Sequence, residues 1–142
     1  MKKVLVLGSA HWNFVVEMML AKFAPETEFK VVYCEYQGDL FSGNGKWIED
    51  PLDAFLELEP DYVFLHYEPV NEEKGPWWKV WKEVVSCATP TQKIYRFGWM
   101  QRRSTNWVAE SNIVRARGSE EVVTDYIRLP LGPDEFRKLV QE

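Results

Sequence analysis

The segment Pro60-Asp61-Tyr62-Val63-Phe64-Leu65-His66-Tyr67-Glu68-Pro69 contains a short apolar run that ends in one of only two histidines in the chain. A run of this length, bounded by Pro-Asp at its start and by polar residues at its end, predicts a buried strand over residues 62–66. Strands of parallel sheets are buried on both faces and therefore consist of continuous apolar residues. The pattern thus favours a parallel sheet, with His66 at the carboxyl end of one of its strands.

Outward from this strand, short runs rich in Val, Ile, Phe and Tyr alternate with segments of helical periodicity. The predicted strands cover approximately residues 3–8, 29–34, 62–66, 93–97 and 122–128. The predicted helices cover approximately residues 13–23, 51–58, 105–114 and 133–140, with a further helix that opens at Pro76. Such alternation is typical of β-α units wound around a parallel sheet. We therefore predict a single α/β domain over residues 1–142, a flavodoxin-like three-layer sandwich whose five-stranded parallel sheet has the order 2-1-3-4-5.

Three local patterns give finer expectations. Asp50-Pro51 combines a capping residue with proline at the first helical position, and this predicts the start of the second helix. Phe14, Met18 and Ala21 are predicted to share the apolar face of the first helix. The glycine-containing segment 38–45 is predicted as a loop.

The composition is that of a globular chain, with 46% apolar and 27% charged residues. Its apolar runs are too short to span a bilayer, so no membrane segment is expected. A chain of 142 residues can build its own core, and its two cysteines, Cys34 and Cys87, do not call for a disulfide framework. These features predict a reducing, cytoplasmic setting.

The charges are distributed unevenly along the chain. The net charge is −5, but residues 1–75 carry 6 basic and 14 acidic side chains, and all seven arginines lie at or beyond Arg96. Such segregation is typical either of a partner surface or of an ordinary solvated face. An acidic chain without a continuous basic stripe argues against a nucleic-acid partner.

Three segments resemble the receiver domain of response regulators. Residues 2–7 are similar to its first strand, and residues 53–65 to its second helix and third strand. Residues 125–136 are similar to its ending, D-Y-[IVL]-x-K-P-[FL]-x-x-x-E-[LF]. The resemblance implies a receiver-like (CheY-like) fold and a role in signal transduction. It also implies a cis Leu129-Pro130 bond, because receivers usually carry a cis proline at this position.

The residues that carry receiver chemistry are replaced. Receivers phosphorylate an aspartate after the third strand, with acidic magnesium ligands after the first, a hydroxyl after the fourth and a lysine after the fifth. The matching positions in this chain are Gly8 and Ser9, then His66, then Phe97 and Gly98, then Leu129. The resemblance therefore implies a degenerate domain that is not phosphorylated on aspartate. No cofactor and no metal is expected.

The candidate binding residues gather at the predicted crevice between the first and third strands, where doubly wound sheets bind ligands. The only two imidazoles are expected to face this crevice, since one follows the first strand and the other ends the third. The candidate ligand- or partner-binding residues are Ser9, His11, Trp12, His66, Glu68 and Trp99.

Each of these signals has more than one interpretation. His66 is either a nucleophile, phosphoacceptor or ligand contact, or a polar strand end satisfied by a neighbouring carbonyl or Glu68. The turn of residues 8–10 is either an anion cradle at a helix N-terminus or a plain connection. A metal site built on His11 and His66 with Cys34, Glu35 or Glu68 would lack any close ligand spacing.

The preferred functional prediction is a pseudo-receiver, a non-catalytic regulatory module that binds a protein partner. The partner is expected either at the crevice end or on the face formed by the predicted helix 105–114, strand 122–128 and helix 133–140. A small ligand in the crevice and a homodimer are further options. The alternative is a small α/β enzyme or ligand-binding protein that uses His11 and His66 in the crevice. The third possible function is that of a structural subunit in a larger assembly. The role of the arginine-rich segment 96–117 stays open.

Overall fold

The computed structural model describes residues 1–39, 44–66, 76–98, 127–128 and 132–141, with the backbone alone for residues 76–78 and 127–128. The elements in chain order are β1 (Lys2–Gly8), α1 (Ala10–Phe23), β2 (Phe29–Asp39), β3 (Asn44–Trp47), α2 (Pro51–Leu58), β4 (Tyr62–His66), α3 (Pro76–Cys87), β5 (Lys93–Gly98), β6 (Ile127–Arg128) and α4 (Pro133–Gln141). The chain is thus an α/β protein, as its alternating pattern predicts.

The described strands form one mixed sheet in the order β3-β2-β1-β4-β5-β6. Neighbouring strands from β2 to β6 pair in parallel, whereas β3 pairs with β2 in the antiparallel direction. The prediction of a purely parallel five-stranded sheet is therefore wrong. The order differs from 2-1-3-4-5 because an additional strand extends the sheet beyond β2.

The additional strand arises where a loop was predicted. β2 continues through Asp39, and Gly38 pairs with Gly45 of β3. The backbones approach so closely that a Cβ on Gly38 would lie 2.2 Å from the Asn44 carbonyl oxygen, and Gly38 has a φ of 132° that side chains disfavour. The glycines here permit a close strand pair rather than a loop, and the rings of Tyr36 and Trp47 meet edge to face at its base, 5.2 Å apart.

The central strands are buried because they carry apolar side chains on both faces. Along β1, Leu5 and Leu7 join the apolar cluster under α2 and α3, while Val4 and Val6 join the cluster under α1 and α4. All four are at most 1% exposed. Burying one such side chain contributes roughly 1.5–3 kcal/mol before the cost of ordering it. The sheet is thus covered by helices on both faces, as expected for parallel strands.

α1 begins one turn earlier than predicted and buries a different face. Ser9 caps it, and its hydroxyl accepts a hydrogen bond from the Trp12 amide at 3.4 Å. The buried residues are Trp12, Asn13, Val16, Met19 and Leu20. Phe14 is 57% exposed and Met18 39% exposed. The predicted face of Phe14, Met18 and Ala21 is therefore the outer one.

The starts of α2 and α4 follow their capping residues. The Asp50 carboxylate accepts hydrogen bonds from the amides of Leu52 and Asp53, and Pro51 occupies the first turn, as predicted. Before α4, the Gly132 amide donates to the Glu135 carboxylate at 2.7 Å. The Tyr95 hydroxyl donates to the Leu139 carbonyl at 2.7 Å and ties α4 to β5.

Several expectations fall outside the described residues. They are the helix predicted over residues 105–114, most of the strand predicted over 122–128, and the cis Leu129-Pro130 bond. Among the helices that the structure describes, none is both long enough and apolar enough to cross a membrane.

Candidate functional site: the crevice at the carboxyl ends of β1 and β4

The crevice lies where β1, β4 and β5 end side by side. β1 ends at Gly8 and runs parallel to β4, which ends at His66, opposite Phe97 of β5. α1 starts two residues after β1. The carboxyl ends of three strands and the N-terminus of a helix therefore meet, at the place where doubly wound folds bind ligands.

The side chain of Trp12 fills this place. Its ring stacks on the His66 imidazole, with the ring centroids 5.1 Å apart and the planes at 27°. It also contacts Phe97 at 5.8 Å between centroids. Trp12 and Phe97 are completely buried, and His66 is 8% exposed. An aromatic cluster thus covers the histidine that ends β4.

Gly8 allows the indole to come this close. A Cβ added to Gly8 would lie 2.2 Å from Trp12 Cδ1 and 2.9 Å from His66 Cβ. Real Cβ atoms do not approach other atoms so closely, so any larger residue would displace the indole or the strand end. The requirement for glycine is therefore one of space.

The structure brings three of the predicted site residues together. Trp12 and His66 are brought together, and Ser9 lies beside them, with its hydroxyl engaged as the cap of α1. His11 is exposed, whereas His66 is buried, so the two imidazoles have different surroundings. Glu68 and Trp99 lie outside the described residues.

Two buried polar atoms in the first turn of α1 have no hydrogen-bond partner among the described residues. They are Trp12 Nε1 and Asn13 Oδ1. Buried polar groups are normally hydrogen-bonded, and leaving one unpaired costs about 1–3 kcal/mol. Asn13 was not predicted as a buried residue, because a polar residue beside a helix cap is usually exposed.

The metal site considered from the sequence is not assembled within the described residues. No group of three or more His, Cys, Asp or Glu side chains lies close enough there to hold an ion. Cys34 and Glu35 are on β2, and β1 separates that strand from β4, which carries His66. Glu68, the remaining candidate, lies outside the described residues.

A buried arginine on the opposite face of the sheet was also missed from the sequence. Arg96 is 1% exposed, and its guanidinium carbon lies 4.3 Å from the centre of the Trp81 ring. A guanidinium over an indole face gains a cation–π attraction that grows when water is excluded. Arg96 was counted with the arginine-rich segment, but its side chain belongs to the core beneath α3.

Comparison with known proteins gives the fold. No family model and no curated protein matches the chain. The pilus assembly protein CpaE from Caulobacter crescentus CB15 has a similar structure, with a TM-score of 0.56 and 15% sequence identity over 98% of this chain and 97% of that one. The Trp repressor binding protein from Bacillus subtilis aligns with a TM-score of 0.48 and 10% identity, over 97% and 93% of the two chains.

At these identities, the likeness concerns the fold alone. The similarity to CpaE supports the receiver-like fold that the sequence predicts. The mixed sheet remains compatible with a flavodoxin-like arrangement.

Proposed function

We propose that this chain is a non-catalytic, receiver-like regulatory module that acts by binding a protein partner and is not phosphorylated on aspartate. The observation that carries the proposal is the packing of Trp12 on His66. In a receiver, the position of His66 holds the carboxylate that accepts the phosphoryl group. Here the side chain at that position is an imidazole, and a completely buried indole covers it.

The surroundings of His66 offer little to a magnesium ion or a phosphoryl group. Magnesium prefers carboxylate and water oxygens in octahedral geometry. Gly8 and Ser9 stand where receivers carry acidic ligands, and the Ser9 hydroxyl already caps α1. Phe97 stands at the hydroxyl position and contributes only its ring. Gly8, Ser9 and Phe97 therefore supply neither the carboxylates nor the free hydroxyl with which receivers hold magnesium and the phosphoryl group.

The alternative of an enzyme or ligand-binding protein requires His11 and His66 to reach a common ligand. His66 is stacked beneath Trp12, and His11 is exposed. A ligand that touched both imidazoles would have to reach His66, which is only 8% exposed. We therefore favour the regulatory module.

Tryptophan fluorescence tests the proposal, because Trp12 stacks on His66, the residue at the receiver's phosphorylation position. Beryllofluoride with Mg²⁺ mimics the phosphoryl group of an activated receiver. The expected result is an emission spectrum equal to that with Mg²⁺ and fluoride alone. A saturable change in the wild-type protein that disappears in Trp12→Phe would refute the proposal, since it would place the mimic beside Trp12.

The site of partner binding is a separate question. The faces predicted from the sequence are the crevice end and the surface of the helix predicted over 105–114, the strand predicted over 122–128 and the final helix. Residues 105–114 and most of 122–128 lie outside the described residues. Within the described residues, the strongest candidate surface lies on the other side of the sheet, beside β2.

A further inference from the structure

A groove of about 580 Å³ lies between β2 and α2. Its apolar lining is formed by Val32, Cys34, Ala54 and Leu58. α2 packs on β1 and β2 without closing the space beside β2. A groove of this size is within the range of binding sites in proteins.

The rim of the groove is strongly acidic. Five carboxylates line it, namely Glu49, Asp50, Asp53, Glu57 and Glu59. Among the described residues of the lining, the cations are Lys3 and Lys30, so the formal charge of these residues is −3. The groove thus combines an apolar floor with a negative rim.

Some of these carboxylates have structural tasks, and others do not. Asp50 caps α2, and Glu49 accepts a hydrogen bond from the Glu35 amide at 3.2 Å. Asp53 and Glu57 are four residues apart on α2, so their like charges repel each other. Their side chains line the same groove.

The end of α2 adds to this repulsion. Helix C-termini favour cations, because the backbone carbonyls give this end a partial negative charge. The last turn of α2 contains no basic residue, and Glu57 and Glu59 bring two carboxylates to it. A positive group bound here would relieve both the side-chain repulsion and the unfavourable interaction with the helix end.

The negative potential of the rim carboxylates extends to Cys34 on the floor of the groove. Burial, followed by the charges of Glu49 and Asp50, raises the pKa of the Cys34 thiol to about 12. The thiol is completely buried. The carboxylates of the rim therefore act on the apolar part of the groove as well as on the solvent in front of it.

We infer that this groove docks a basic segment of a partner protein, with an apolar side chain on the floor and arginine or lysine side chains against Asp53, Glu57 and Glu59. The inference rests on the proposed function and names the partner's chemistry. The negative rim favours a positively charged occupant. The apolar floor favours a peptide segment over a small inorganic cation, because the cation would leave the floor uncovered. Partly exposed ion pairs each contribute modestly, so the affinity is expected to be moderate and to fall with added salt.

A synthetic peptide tests this inference. The probe is fluorescein-labelled Arg-Leu-Arg-Leu-Lys-Leu-Arg, and its counterpart has glutamate in place of every basic residue. Fluorescence anisotropy is expected to show saturable binding of the basic peptide alone. The double variant Asp53→Asn, Glu57→Gln is expected to bind about tenfold more weakly, which corresponds to two ion pairs of ordinary strength.

The matched control is Glu17→Gln, Glu28→Gln, which changes the net charge by the same two units at exposed positions outside the groove. It is expected to bind the peptide like the wild type. Far-UV circular dichroism checks that both variants are folded, and the single variant Glu57→Gln serves if the double one is not. Binding should weaken when the salt concentration is raised, because rim charges are screened.

Several outcomes would overturn the inference. They are no saturable binding, an equal loss in both double variants, and binding of the glutamate peptide. Spermine that displaces the peptide at the peptide's own affinity would indicate a small-cation site instead. Concentration-dependent self-association that Asp53→Asn, Glu57→Gln abolishes would assign the groove to a second copy of the chain. None of these outcomes alters the beryllofluoride result, so the two proposals fail separately.

Discussion

The indole of Trp12 covers the imidazole of His66, and Gly8 provides the space in which the two rings meet. The three residues come from the first turn of α1 and from the ends of two adjacent parallel strands. Where the sequence resemblance to receivers places an acidic pocket, the described residues form an aromatic cluster of Trp12, His66 and Phe97.

Replacing Gly8 by alanine is expected to lower the free energy of unfolding by about 1–3 kcal/mol, since the new Cβ overlaps Trp12. Urea unfolding followed by circular dichroism measures the loss, and tryptophan emission should change in the folded state. Gly132→Ala is the control. Its Cβ would meet the flexible end of the Glu135 side chain, and the contact at risk is one hydrogen bond to the Gly132 amide, so the expected loss is no more than about 1 kcal/mol. Equal losses would contradict the role of Gly8.

Replacing His66 by aspartate introduces the residue that receivers phosphorylate, but not the acidic residues that hold their magnesium ion. The variant is expected to take up no phosphoryl group from acetyl phosphate, because Gly8 and Ser9 supply no magnesium ligands. Phos-tag electrophoresis or intact mass measures the modification. A stoichiometric gain of one phosphate that is labile at alkaline pH would refute this expectation.

The stability of the same variant gives a test of the burial of residue 66. His66 is 8% exposed, so a carboxylate there would lie beneath the indole, largely removed from solvent. His66→Asp is expected to be at least about 1 kcal/mol less stable near pH 7 than the similarly shaped, uncharged His66→Asn. The difference should shrink toward pH 4, where the introduced carboxyl is protonated. Equal stabilities at pH 7 would indicate an open, hydrated crevice.

The central strands were predictable from the sequence, because their composition leaves no alternative. β1 and β4 each contain four consecutive apolar residues, 4–7 and 62–65, and a sheet covered on both faces buries such runs. The start of α2 was predictable for a similar reason, since Asp50 and Pro51 act locally. Both the apolar runs and the start of α2 are encoded by residues that are adjacent in the sequence.

The hairpin and the crevice could not be predicted in the same way. Gly38 and Gly45 are equally compatible with a loop and with a close strand pair, and pairing decides between them. His66 ends its strand as predicted, whereas His11 lies in the first turn of α1 rather than in a connection before it, and the surroundings of both depend on the rotation of α1. Sequence periodicity leaves this rotation open, because α1 is apolar on both sides.

Two adjacent methionines test the rotation of α1. Met19 is 8% exposed and packs in the cluster under the helix, whereas Met18 is 39% exposed. Met19→Ala is expected to cost about 2–5 kcal/mol, and Met18→Ala no more than about 1 kcal/mol. Urea unfolding of the two variants gives the comparison directly. A larger loss for Met18→Ala would restore the predicted inner face of Phe14, Met18 and Ala21.

The thiol of Cys34 predicts a loss of stability at alkaline pH. Its pKa is raised from the ordinary 9.0 to about 12 by burial and then by Glu49 and Asp50. Above about pH 9 the thiol of the unfolded chain ionises and that of the folded chain does not. Unfolding then releases a proton, so the free energy of unfolding falls as pH rises from about 9 toward 12. Below about pH 9 this contribution is fully present.

Comparison with Cys34→Ala isolates the effect, because Tyr33 and Tyr36 also have raised pKa values and contribute in a similar range. Between pH 8 and pH 10 the wild type is expected to lose about 1 kcal/mol more than Cys34→Ala. Cys87→Ser is the matched control, since that thiol is exposed, and its pH profile should follow the wild type. Parallel profiles for the wild type and Cys34→Ala would show that the Cys34 thiol ionises normally in the folded protein. That result would also remove the argument that the acidic rim acts on the floor of the groove.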